Sequence, residues 1–198
     1  AYNNGARILD NKIKLGGLEQ LSNISEFIEY ILLIGCGTSY NAGLLGELYL
    51  NSNNQFICVK CINASEFSLK TIPKIQNKKK ILCIFLSQSG ETIDVYNCLN
   101  ICKGHGCITL GIVNKVDSLI AREVDCGVYL NAGSEISVAS TKSFTSMLIV
   151  LSLVEMWFNN DYFNNNKKIN CLRSLSTTLI SFLYDFNFMK SVENIKNF

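Results

Sequence analysis

Five short apolar runs, each followed by a polar or glycine-containing stretch, set the rhythm of this chain. They are Ile31–Ile34, Phe56–Ile62, Ile81–Leu86, Cys107–Val113 and Cys126–Leu130. The runs are continuous rather than alternating, which is the pattern of strands buried on both faces. Between them the spacing becomes helical, over Ser39–Leu50, Ala64–Leu69, Glu91–Lys103 and Asp117–Arg122. Strand alternating with helix predicts βαβ units. The expected fold is α/β: a three-layer αβα sandwich on a five-stranded parallel sheet, doubly wound with the flavodoxin-like order 2-1-3-4-5.

Beyond the last run, Phe144, Met147, Leu148, Leu151, Val154 and Phe158 recur at three- and four-residue steps, predicting a long core helix. Asn159 to Lys168 is Asn-rich and reads as a loop. Ile169, Leu172, Leu175, Leu179, Phe182 and Phe186 mark a terminal helix that packs on this sheet or leads to another domain. At the front, Asn11 to Gly17 looks like a turn and Leu18 to Phe27 like a helix. The expected organisation is a linker and leading helix over 1–30, one α/β domain over 31–160, and a polar loop with terminal helix over 161–198.

Composition narrows the partners. Eighteen basic and sixteen acidic residues give a net charge of +2, which offers no electrostatic case for nucleic acid. The Lys78-Lys79-Lys80 run reads as a solvated loop. The longest apolar stretch of the last core helix, Met147 to Val154, falls far short of the roughly 20 residues that span a bilayer, and no secretory signal is visible. The chain starts at Ala1, as expected of a piece of a longer polypeptide or of simple Met removal. Nine cysteines, odd in number and mostly inside apolar runs, show no disulfide framework and fit a reducing cytoplasm. Cys58 and Cys61 lie three apart on a predicted strand and so point to opposite faces. With one His in the chain, no metal site and no cofactor is expected.

Three loops carry the candidate chemistry. Ser87-Gln88-Ser89-Gly90-Glu91-Thr92 joins a buried strand to a helix start. Helix-end N–H groups and the helix dipole favour an anion there. The hydroxyls of Ser87, Ser89 and Thr92 and the amide of Gln88 add donors. The turn has no Lys or Arg, which suits a small phosphorylated metabolite, and the chain has no nucleotide P-loop. The second loop is Gly35-Cys36-Gly37-Thr38-Ser39. Its glycines permit close backbone approach, although a purely structural turn accounts for them as well as a ligand does. Tyr40 replaces the third glycine of a dinucleotide fingerprint. The third loop is Val138-Ala139-Ser140-Thr141-Lys142, where capping of the long helix alone accounts for Ser140 or Thr141. In a 2-1-3-4-5 sheet the ligand crevice lies between the first and third strands, which brings the first two loops together. The possible acid–base groups are Glu66, Glu91, Asp94, Glu135 and His105; His105 sits in a turn at the amino end of the strands. Glu91 compensates a helix dipole, and nothing local marks Glu66 or Glu135 as a base.

These residues, with Leu15-Gly16-Gly17-Leu18, Ala64-Ser65-Glu66-Phe67, Asn114, Ser118–Arg122 and Val138–Thr145, resemble the first sugar-isomerase (SIS) domain of the glutamine:fructose-6-phosphate aminotransferases. The resemblance covers roughly residues 5 to 160. It implies a five-stranded parallel sheet between helix layers, with the sugar phosphate on Ser39, Ser87, Gln88, Ser89 and Thr92. Cys36, Gly37, Thr38, Val138, Ala139 and Ser140 would contact the sugar or close the pocket. The family takes ammonia from glutamine in a glutaminase domain and makes glucosamine 6-phosphate from fructose 6-phosphate. Its isomerase base comes from a second SIS domain, so no catalytic residue is expected here. The resemblance implies a cytoplasmic chain that pairs with a second copy and binds fructose 6-phosphate or glucosamine 6-phosphate without turnover. Two rivals stand beside it: a stand-alone sugar-phosphate isomerase, and a non-catalytic phosphosugar sensor.

Overall fold

Apolar runs of this length need cover on both faces, and the architecture provides it. The computed structural model describes residues 7–52, 55–136, 140–159 and 162–185, together with 190 and 193. A two-stranded ribbon, β1 (Ile8–Leu9) and β2 (Lys12–Ile13), comes first. The main sheet follows in the sequence β3 (Tyr30–Gly35), α1 (Gly37–Asn51), β4 (Cys58–Asn63), β5 (Ile81–Ser87), α2 (Ile93–Gly104), β6 (Ile108–Val113), α3 (Leu119–Glu123) and β7 (Cys126–Tyr129). Then come α4 (Lys142–Phe158) and α5 (Tyr162–Leu183). All pairings in the five-stranded sheet are parallel, in the order β4-β3-β5-β6-β7, which is the expected 2-1-3-4-5.

The period-two pleat divides the sheet's side chains between two helix layers. Leu32, Ile34, Cys83 and Phe85 share one buried cluster with Val95, Cys98, Leu99 and Cys102 of α2 and Ile120 of α3. The opposite face is covered by α1, which also packs on α4. At Gly46 that packing is close: an added Cβ would lie 3.1 Å from both methyls of Leu151 on α4. Every residue of β5 and β6 is buried. At about 1.5–3 kcal/mol per large aliphatic side chain, these two strands anchor the fold. The edge strand β4 is tied down by Glu47 of α1, whose carboxylate accepts from Cys61 N.

A second unit comprises α5 with Asp10–Lys12, where Arg173 Nη1 donates to Asn11 Oδ1 at 2.8 Å. No described helix is long and apolar enough to cross a membrane.

Four local expectations differ from the structure. The leading helix over Leu18–Phe27 is instead two 3-10 segments, Gly16–Leu21 and Ser25–Phe27. Ser22 and Ser25 hydroxyls donate to the carbonyls of Glu19 and Ser22, the local bonding by which Ser competes with continued helix. Ala64–Leu69 likewise breaks into 3-10 turns at Ala64–Glu66 and Leu69–Thr71. Asn63 caps the first, and Pro73 limits the second. The Lys78–Lys80 run forms a 3-10 turn in which Lys80 pairs with Glu29, rather than a free loop. Finally, α5 starts at Tyr162, inside the expected Asn159–Lys168 loop. Asn costs a helix well under 1 kcal/mol per residue, too little to forbid one. Phe186, Val138 and Ala139 lie outside the described residues.

Candidate functional site

Parallel register brings the carboxyl ends of the strands level. Gly35 of β3 pairs with Leu86 of β5, and Ser87 with Val113 of β6. The loops that follow these strands therefore emerge side by side.

The turn after β5 is held by its own hydroxyls. Ser87 is 2% exposed; its Oγ accepts from Gly90 N at 3.0 Å and pairs with Thr92 Oγ1 at 3.0 Å. Ser89 Oγ accepts from Glu91 N at 3.1 Å. That bond uses a lone pair and leaves the Ser89 proton available to an incoming acceptor. Gly90 turns the chain at φ +68°. A Cβ there would lie 2.0 Å from Ser118 Oγ, so sterics and backbone conformation both require glycine. Thr92 is the N-cap residue of α2 and makes no side-chain cap bond, so its hydroxyl faces back to Ser87. The first-turn amides of this twelve-residue helix have no intrahelical partner. Neutral hydroxyls next to open helix amides are donors of the kind an anion can take. Glu91 differs from its expected role. It precedes α2, and its carboxylate accepts from Leu119 N, capping α3 instead.

The loop after β3 opens α1 two residues earlier than its spacing suggests. Cys36 is the N-cap residue, Gly37 takes φ +53°, and Thr38 and Ser39 lie within the first turn, half-buried. Cys36 packs against the α2-side core, beside the Ala64–Ser65 backbone. Burial, then the charge of Asp94, pushes this thiol up from its ordinary value. A raised value disfavours its thiolate form.

A third set of residues, mostly without an assigned role in the sequence, completes the rim. Asn114 bridges two loops: its Nδ2 donates to Gly133 O at 2.7 Å, and its Oδ1 accepts from Ala132 N at 2.9 Å. Glu135 accepts from the backbone N and hydroxyl of both Thr141 and Ser143. The Ser143 hydroxyl, followed by these other donors, holds the Glu135 carboxyl down to about 2. The cap of α4 is thus Glu135, not Ser140 or Thr141; Thr141 occupies the N-cap position without a side-chain cap bond. Ser140 Oγ pairs with Ser143 Oγ at 2.6 Å, inside the same network. A carboxylate so engaged is a poor general base. His105 lies at the far end of the strands, with Nδ1 2.9 Å from Ile101 O.

A cleft of about 520 Å³ opens over β5, β6 and β7, bounded by Gln88, Ser89, Asn114, Lys115, Asn131 and Glu135. Its wall includes Gln88 and Ser89 but not Cys36, Gly37, Thr38 or Ser39. Lys115 supplies a cation to this cleft that the serine turn lacks. The sequence signal for it was its place directly after a strand.

Comparison with known proteins gives a consistent picture. The SIS domain family model matches residues 29–155. A glutamine–fructose-6-phosphate aminotransferase (isomerizing) of Mus musculus is 38% identical over 83% of this chain and 24% of its own length. That of Chlorobaculum tepidum is 39% identical over 76% of this chain and 24% of its own. This chain thus spans about a quarter of the length of these curated relatives. The solved C-terminal domain of glucosamine-fructose-6-phosphate aminotransferase from Francisella tularensis superposes with a TM-score of 0.70 at 28% identity. The match covers 84% of this chain and 48% of that one.

Proposed function

Because the chain belongs to the SIS domain family, we propose that its serine-rich turn holds the phosphate of fructose 6-phosphate or glucosamine 6-phosphate. The whole protein would be a cytoplasmic enzyme that makes glucosamine 6-phosphate from fructose 6-phosphate and glutamine. The observation that carries the reading is the turn itself: Ser87 and Thr92 hydroxyls pair, Ser89 keeps a free proton, and the turn leads directly into the open first-turn amides of α2. In this reading Ser87, Gln88, Ser89 and Thr92 hold the phosphate together with Ser39. Cys36, Gly37, Thr38, Val138, Ala139 and Ser140 shape the sugar's surroundings. The names of the similar aminotransferases supply the sugar.

The reading makes these residues a binding unit rather than a complete active site. Moving a proton next to a carbonyl needs a base within about 3 Å of it. Glu91 and Glu135 are engaged at the starts of α3 and α4, and in this reading neither Glu66 nor Asp94 supplies the base. The base and the ammonia therefore come from elsewhere in the enzyme, and two copies pair through their sheet domains.

Calorimetric titration tests the reading. Fructose 6-phosphate should bind and fructose should not, because the donors are aimed at the phosphate. NAD and ATP should not compete. Equal affinity for the sugar with and without its phosphate would overturn the assignment.

A further inference from the structure

At the opposite end of the strands from the serine turn, α2 ends in a Schellman motif. Cys107 N donates to Cys102 O at 3.1 Å, and Gly106 N donates to Lys103 O at 2.9 Å, with Gly106 at φ +74°. Such motifs are commonly closed by an apolar contact between the residues at these two ends. Here both residues are cysteines. The Cys107–Cys102 bond limits their Cα separation to about 7 Å by covalent geometry, which is within reach of a disulfide. A third thiol, Cys83 of β5, is buried in the same cluster as both. All three are reduced and belong to one buried cluster.

The three thiols differ in access. Cys83 and Cys102 are fully buried, whereas Cys107 lines an open cleft of about 420 Å³ together with Lys79, Lys103 and Asp125. Cys107 itself is 5% exposed and borders this cleft, which is the route a small peroxide would take to it. We propose that Cys107 and Cys102 are a peroxide-sensitive thiol pair that closes to a reversible disulfide. In the first step the Cys107 sulfur attacks a hydroperoxide oxygen and the O–O bond breaks. The sulfur becomes a sulfenic acid, and water or an alcohol leaves. In the second step the Cys102 sulfur displaces the hydroxyl from Cys107, forming the S–S bond and releasing water. The peroxide is reduced by two electrons, which the two thiols supply. The neighbouring Cys83 thiol, and with it the charge of Lys78, lowers the Cys107 thiol from its ordinary value against its burial. Cys83 itself is pushed well up by the neighbouring Cys102 and Cys107 thiols and by burial.

Peptide mapping of the 198-residue chain tests this. The folded protein is treated with hydrogen peroxide, free thiols are blocked, and trypsin is added. Cleavage after Lys80, Lys103 and Lys115 puts Cys102 and Cys107 on separate peptides. The expected product is a linked pair that separates on reduction with dithiothreitol, with fragment ions placing the bridge at Cys102. In a Cys102→Ser variant, a dimedone adduct on Cys107 should rise several-fold over the parent chain. Recovery of Cys107 as a free thiol while the exposed Cys58 and Cys171 are oxidised would overturn the proposal. So would a bridge from Cys107 to Cys83.

Discussion

Ser87 commits its hydroxyl to Gly90 N and Thr92 Oγ1 inside the fold, whereas Ser89 accepts one bond from Glu91 N and keeps its proton free. Substitution should separate the two. Ser87→Ala orphans a buried N–H and should cost about 1–3 kcal/mol of stability, read as a lower midpoint in urea. Ser89→Ala should leave that midpoint almost unchanged. It should weaken fructose 6-phosphate binding roughly 10- to 150-fold, the worth of one charge-assisted hydrogen bond, in a calorimetric titration. Unchanged affinity in a folded Ser89→Ala variant would make this serine a turn former only. Gly90 offers a second test. Gly90→Ala meets Ser118 Oγ and a φ of +68°. The variant should be destabilised, and adding Ser118→Gly should restore only part of the loss, because the backbone strain remains. Full recovery by Ser118→Gly would show that the clash alone mattered.

The α4 helix owes its first turn to a residue seven positions upstream of its start: Glu135, which accepts from Thr141 and Ser143. The Glu135 carboxyl ordinarily titrates at 4.5 and is held at about 2 here. A depressed folded value means that the stabilisation is whole above pH 4.5 and is lost as pH falls toward 2. Glu135→Gln should therefore melt below the parent at neutral pH, and the two curves should converge in acid. A gap that persists at low pH would point to a role other than charge. This cap also shows where sequence reading stops. The strands of the sheet and the long helices α1, α2 and α4 were legible because burial on one or both faces writes a periodic pattern into twelve or more residues, or a continuous apolar run. A carboxylate reaching back across a loop leaves no such pattern, and neither does Asn114 bridging Ala132 and Gly133. The 3-10 breaks at Ser22, Ser25 and Asn63 hinge on single side-chain hydrogen bonds, which periodicity cannot register. The serine turn was legible because its residue types carry the chemistry themselves. The cleft beside it was not, because it depends on which loops the neighbouring turns cover.

At the scale of the whole molecule, the parallel sheet places the serine turn and its neighbouring cleft at the carboxyl ends of its strands and the thiol cluster at the amino ends. Two carboxylates at the carboxyl ends of the strands, Glu91 and Glu135, are engaged in capping, and the proposed reading takes the base from elsewhere, so binding and turnover should separate. An NMR time course with fructose 6-phosphate and ammonium should show bound sugar phosphate and no accumulation of glucosamine 6-phosphate. Sustained product, abolished by Glu66→Gln, would instead make this chain an isomerase in its own right. The most direct test of the binding account is an amide-resolved NMR titration with fructose 6-phosphate, with fructose in parallel. The account predicts saturable shifts concentrated at Ser87–Thr92, the first turn of α2 and Thr38–Ser39, and none at these positions with fructose. Shifts that avoid the serine turn, or that fructose reproduces, would contradict it.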